Sequence, residues 1–154
     1  MTIGPRSLHR LVYRSRLSPE AAADLEYQLR DILSSSITNN RRDGVSGLLV
    51  TVQGCFIQAL EGSLNAVQNA FGRISRDPRH SETVVIAAGP AEARLFQDWD
   101  MCAHMLSPAD AAIVKVIDAR GVFDPTRLTP TTALRLLAAV ADIQRRTALS
   151  SLVA

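Results

Sequence analysis

Two polar side chains stand inside apolar strand-like stretches of this sequence, and they are the residues best suited to chemistry. Gln58 lies in CFIQALEG with Phe56 and Leu60 beside it at the two-residue strand period, which points its amide into an apolar layer. Tyr13 lies in LHRLVYRS and by the same period shares a face with Leu11 and Ser15. A buried amide or phenol without a partner costs about 1–3 kcal/mol, so each of these groups needs one. Tyr13 and Gln58 therefore either satisfy one another within a core or border a bound ligand, and the pattern alone leaves both readings open. Conventional catalytic sets are missing: there is no Gly-rich phosphate loop, no nucleophile elbow and no metal-ligand helix. Cys102 and His104 have no further ligands at the usual zinc spacings, so no metal is expected.

The elements that must position these groups can be read along the chain. Residues 8–15 form a first strand, and Ser18-Pro19 supplies a cap and a first-turn proline for a helix. Leu25, Leu29, Ile32, Leu33 and Ile37 recur at helical spacing, so that helix runs to about Thr38 and Asn39-Asn40 ends it. Residues 45–52 and 55–61 are strands joined by a tight Gln53-Gly54 turn, and both of their faces are apolar. A second helix follows Ser63, with Leu64, Val67, Ala70, Phe71 and Ile74 on one face, and stops before Asp77-Pro78. Residues 82–88 and 95–104 complete the strands.

This order, βαββαββ, predicts an α+β, ferredoxin-like sheet with two helices on one face. The other face must be covered by the rest of the chain. Ser107-Pro108 and Thr129-Pro130 are helix starts, and Leu136, Leu137, Val140 and Ile143 form an apolar stripe. Residues 107–146 are accordingly expected as two helices capping the open face.

A chain of 154 residues with 47% hydrophobic content closes one core, and a net charge of +2 is too small for a nucleic-acid partner. No apolar run reaches the roughly 20 residues of a membrane span, and no signal-peptide pattern opens the sequence, so the expected location is the cytoplasm. Cys55 and Cys102 suit small buried residues in a reducing compartment better than a disulfide.

Five separated segments, LHRLVYRS, DILSSSITNNRRDGVSGLLV, CFIQALEG, AFGRISRDPRHSE and FQDWDM, together resemble the BLUF domain, a flavin-binding blue-light receptor module. The resemblance runs from about residue 8 to 104. It implies a flavin, FAD expected and FMN the alternative, held noncovalently between the helices that follow strands one and three. In this likeness Tyr13 matches the photoactive tyrosine and Gln58 the glutamine between that phenol and the flavin ring, with Phe56 on the same face. Asn40, with Asn39 beside it, matches the asparagine that fixes the polar edge of the ring. Ile32 and Ile74 match the aliphatic residues that sandwich it. Arg73, Arg79 and His80 occur where the family places contacts to the flavin tail, Trp99 and Met101 match its Trp-x-Met, and Ser15 matches a serine near the tyrosine.

The function the resemblance implies is sensing, not catalysis. Light would drive transient electron and proton transfer from Tyr13, the Gln58 amide would rearrange its hydrogen bonds, and the absorption would shift slightly to the red. The implied organisation is an extension over 1–7, the flavin-binding domain over 8–104 and a helical extension over 105–154 that matches no known effector. The signal would then pass to a separate effector protein, with a homo-oligomer as the expected assembly. Two other classes compete: a small flavin-dependent oxidoreductase, for which no substrate-site residues are evident, and a ligand-free interaction protein in which Tyr13 and Gln58 are core partners.

Overall fold

A computed structural model describes residues 7–96, 102–105 and 124–153. The elements are β1 (Leu8–Leu17), α1 (Pro19–Ala23), α2 (Leu25–Asp43), β2 (Ser46–Val52), β3 (Cys55–Ser63), α3 (Leu64–Ser75), β4 (His80–Pro90), β5 (Cys102–Met105), a 3-10 turn (Pro125–Arg127) and α4 (Pro130–Val153). The strands form one sheet in the order β4-β1-β3-β2-β5. Pairing is antiparallel for β1 with β3, β1 with β4 and β2 with β3, and parallel for β2 with β5. The α+β, ferredoxin-like architecture expected from the element order is the one observed.

The helix starts follow from side-chain caps. Ser18 Oγ accepts from Ala21 N at 3.1 Å, Ser63 Oγ from Ala66 N at 3.2 Å and Thr129 Oγ1 from Thr132 N at 3.2 Å. Asp24, with φ −134° and ψ 54°, breaks the first helical stretch into α1 and α2. Contrary to expectation, Asn39-Asn40 does not end α2, which continues to Asp43. The stop is Gly44: at φ 71° it takes the left-handed conformation that returns its N–H to the Asn40 carbonyl, a conformation glycine adopts without a Cβ penalty.

Several strand boundaries also differ. β1 and β4 run further than expected because their ladder continues through Arg16↔Ser81 and Leu17↔His80. Leu95 and Phe96, expected in the last strand, are outside it, and their N–H groups are taken by the Glu61 carboxylate.

The sheet separates two cores. On one face, Leu11, Tyr13, Leu49, Phe56 and Leu60 pack with Val67 and Ala70 of α3, with Leu25 and Ile32 of α2 at the margin. On the other, Val12, Leu48, Val50, Ile57 and Ala59 pack with Phe96 and with Leu136, Leu137 and Val140 of α4, with Ile143 against the cluster. A cap on the open face is thus present; among the described residues it consists of α4, which runs past the expected end at 146 to Val153. The side chains of Leu29, Leu33 and Ile37 and the helix expected after Ser107-Pro108 lie outside the described residues.

Candidate functional site

On the α2–α3 side of the sheet lies a cleft of about 200 Å³ that opens to solvent. Its floor is the centre of the sheet. Tyr13 and Gln58 are direct cross-strand partners, as are Leu49 and Gln58, so the antiparallel registers put the phenol, the amide and a leucine side by side. The Tyr13 hydroxyl donates to Gln58 Oε1 within the buried layer. Both residues are almost wholly covered, Tyr13 at 2% exposure and Gln58 at 3%. Burial pushes the Tyr13 phenol well above its usual pKa, and the negative charge of Asp77 adds to the effect, so the group is neutral and its O–H remains a donor.

The walls come from the two helices. Ile32 of α2 and Ile74 of α3 line the cleft, and Asn39 and the buried Asn40 border it near the end of α2. Tyr13 is steadied by Phe71, whose ring lies 5.5 Å away in a tilted arrangement.

At the third side, His80 lines the cleft with both ring nitrogens engaged by the protein. Nε2 lies 2.5 Å from the Ile74 carbonyl oxygen, which can only accept, so that nitrogen carries a hydrogen. Nδ1 lies 2.7 Å from Ser15 Oγ. Arg79 is equally committed: it donates to Asp77 through Nε at 2.9 Å and to Asp31 through Nη1 at 2.7 Å, bracing α2 against the turn before β4. Burial opposes the Asp77 charge, but the hydrogen bonds and charge of Arg79 win and hold its carboxyl below the usual range. Arg73 has a looser partner, with Nη2 3.6 Å from Asp43.

The structure thus brings Tyr13, Ile32, Asn39, Asn40, Phe56, Gln58, Arg73, Ile74, Arg79 and His80 to one cleft. Ser15 sits behind His80 instead of on the cleft surface. Trp99 and Met101 lie outside the described residues. Sequence reasoning missed Ser35 and Ser36, although each precedes an asparagine of the cleft by one helical turn and the 3.6 period places them on that face. It also missed Asp77, whose only signal was its closeness to Arg79, the apolar floor residues Leu49 and Leu60, and Ala70 on the α3 wall.

A cleft with apolar walls and a few convergent amides suits a flat heteroaromatic ligand. The buried amides of Asn40 and Gln58 supply both donors and acceptors of the kind a heteroaromatic edge requires. The residues present fit a flavin.

Comparison with known proteins points the same way. The family model BLUF, sensors of blue-light using FAD, matches residues 8–102. The photoactivated adenylate cyclase subunit alpha of Euglena gracilis is 35% identical over 98 residues, covering 64% of this chain and 10% of that protein. The solved structure of BlsA in its photo-activated state superposes with a TM-score of 0.77 at 26% identity, over 87% of this chain and 94% of that one. BlrB, a BLUF protein in its dark state, gives 0.70 at 28% identity, over 90% and 98%. The chain spans about 10% of the length of the cyclase subunit.

Proposed function

Because this chain belongs to the BLUF family of blue-light sensors using flavin, we propose that its cleft binds FAD noncovalently and that Tyr13 and Gln58 convert absorbed light into a changed hydrogen-bond pattern. The observation that carries this reading is the buried Tyr13–Gln58 hydrogen bond, set in register on the cleft floor. Bound flavin would supply the absorption of blue light and a site that takes up an electron and a proton. Among the described residues that line the cleft, Tyr13 is the side chain able to release both. In the dark its Oη holds the proton and fixes the Gln58 amide by donating to Oε1; once the donor is lost, the amide can exchange its accepting and donating ends. Ile32 and Ile74 hold the ring by packing, and Asn39 and Asn40 orient its polar edge.

FAD is favoured over FMN by the surface beyond the cleft mouth, where Arg73, Asp77 and Arg79 continue into an open groove with Arg76 and Gln28 that offers room for a dinucleotide tail. No helix among the described residues is long and apolar enough to cross a membrane. The proposed setting is the cytoplasm, with the signal passing to a separate effector protein and the chain itself catalysing no reaction. The edge strand β4 leaves Val84 and Val85 exposed, an apolar edge that favours self-association into a homo-oligomer.

The test is an absorption spectrum of the flavin-loaded protein before and after blue light, without added substrate. A small red shift that reverses in the dark is expected; an unchanged spectrum would overturn the reading.

A further inference from the structure

Glu61 is fully buried, yet it has no part in the cleft. It lies on β3 three residues beyond Gln58, and the strand period turns it to the opposite face of the sheet, toward α4. A carboxylate so placed is tolerated only if its oxygens are satisfied. They are: Oε2 accepts from Arg10 Nε at 2.7 Å and from Leu95 N at 2.9 Å, and Oε1 accepts from Phe96 N at 2.8 Å. The same segment is strapped down twice more. Arg10 Nη2 donates to the Ala93 carbonyl at 2.7 Å, and Arg94 donates to Ser46 Oγ at 2.8 Å, to the Gly44 carbonyl at 2.8 Å and to the Glu61 carbonyl at 3.1 Å. Phe96, whose N–H the carboxylate holds, is 0% exposed and belongs to the cluster that contains Leu136, Leu137 and Val140 of α4.

We propose that Glu61 is the positioning residue through which a hydrogen-bond change at Gln58 reaches α4, by holding Phe96 in the core beneath that helix. The inference rests on the light-sensor reading of the cleft. β3 carries both residues on one stretch of backbone paired on both sides, so it moves as a unit; a shift at Gln58 displaces the carboxylate, and with it the Phe96 backbone and ring. α4 itself meets β3 through apolar packing, which tolerates small slips. The carboxylate is different because its two directed bonds to successive N–H groups do not.

The experiment compares hydrogen exchange in darkness and under blue light for flavin-loaded wild type and Glu61→Gln, reading peptides within residues 130–143. Wild type should show a light-dependent change there. Glu61→Gln should keep its flavin spectrum and red shift, lose that change and recover in the dark at a different rate. A light-dependent change in Glu61→Gln equal to that of wild type overturns the proposal, as does a wild type that shifts its absorption but shows no change in α4. Absence of the red shift in wild type would instead overturn the light-sensor reading. Should Glu61→Gln fail to fold, Glu61→Asp keeps the negative charge beside Arg10 while drawing the carboxylate back from the two N–H groups. A diminished α4 response in that variant supports the proposal, and a full response overturns it.

Discussion

At Gln58 the amide accepts from Tyr13 in a layer that is otherwise apolar, so Gln58→Leu removes the hydrogen bond while keeping most of the volume. Flavin affinity should change by about 1 kcal/mol, roughly fivefold in Kd, while the light-induced shift disappears. Titration with FAD followed by illumination separates the two effects; a full red shift would remove Gln58 from the switch. Tyr13 offers a second test, because burial and then the charge of Asp77 raise its pKa in the folded state. A raised pKa contributes stability that is complete below the ordinary phenol value near 10 and is lost as pH rises beyond it, at about 1.4 kcal/mol per pH unit. Urea midpoints measured between about pH 9 and about pH 11 should therefore fall more steeply in wild type than in Tyr13→Phe, and equal slopes would contradict the buried, neutral phenol. That Tyr13 and Gln58 face an apolar layer was legible from the two-residue period. Their direct opposition was not, since register depends on turn geometry and packing across strands. The engagement of Arg79 by Asp31 was equally hidden, as those residues are 48 positions apart in sequence.

Gly47 on β2 shows why the central strands lie so close. A Cβ at this position would stand 2.1 Å from the Ala59 carbonyl oxygen, a backbone atom that cannot swing away. Gly47→Ala should cost about 1–3 kcal/mol or more through forced displacement of β3, lowering the urea midpoint, and should also disturb the dark spectrum because Gln58 adjoins Ala59. An unchanged midpoint would mean that the strands separate more easily than the packing indicates. Element types were readable because capping serines and apolar periods coincide at Ser18 and Ser63. Ends were less so. Asn39-Asn40 carries a helix-stopping composition, but only the left-handed residue stops the helix, and that is Gly44. Leu95 and Phe96 look like strand residues by composition, and no local pattern reveals that a distant carboxylate takes their N–H groups.

For the whole molecule, one sheet serves two separate cores, one containing the cleft and the other sealed by α4. Leu136 is fully buried in the second, so Leu136→Ala should cost about 2–5 kcal/mol of stability. The dark flavin spectrum should nevertheless stay at its wild-type position. Thermal unfolding and an absorption spectrum of the same sample check both halves of this statement, and a displaced dark spectrum would show that the faces are not independent at rest. The two-core plan was visible in the apolar faces of residues 45–61 and in the stripe from Leu136 to Ile143. The tie between the sheet and the Leu95–Phe96 segment beneath the cap rests on Glu61, which sequence reading passed over because a glutamate at a strand end ordinarily reads as solvent-exposed.

The unbroken burial of β3 from Cys55 to Gly62 has a consequence for how this protein can diversify. A strand with a solvated face offers neutral positions where sequence can drift and properties can be tuned one at a time. β3 offers none: alternate residues answer to the cleft and to the cap, so a change that adjusts colour or recovery time from within the strand is liable to disturb the output as well. Variation that retunes the photocycle alone belongs on the helix faces lining the cleft, at positions such as Ser35, Ser36 and Ala70, where a side chain can alter the ligand's surroundings without entering the strand that both halves share.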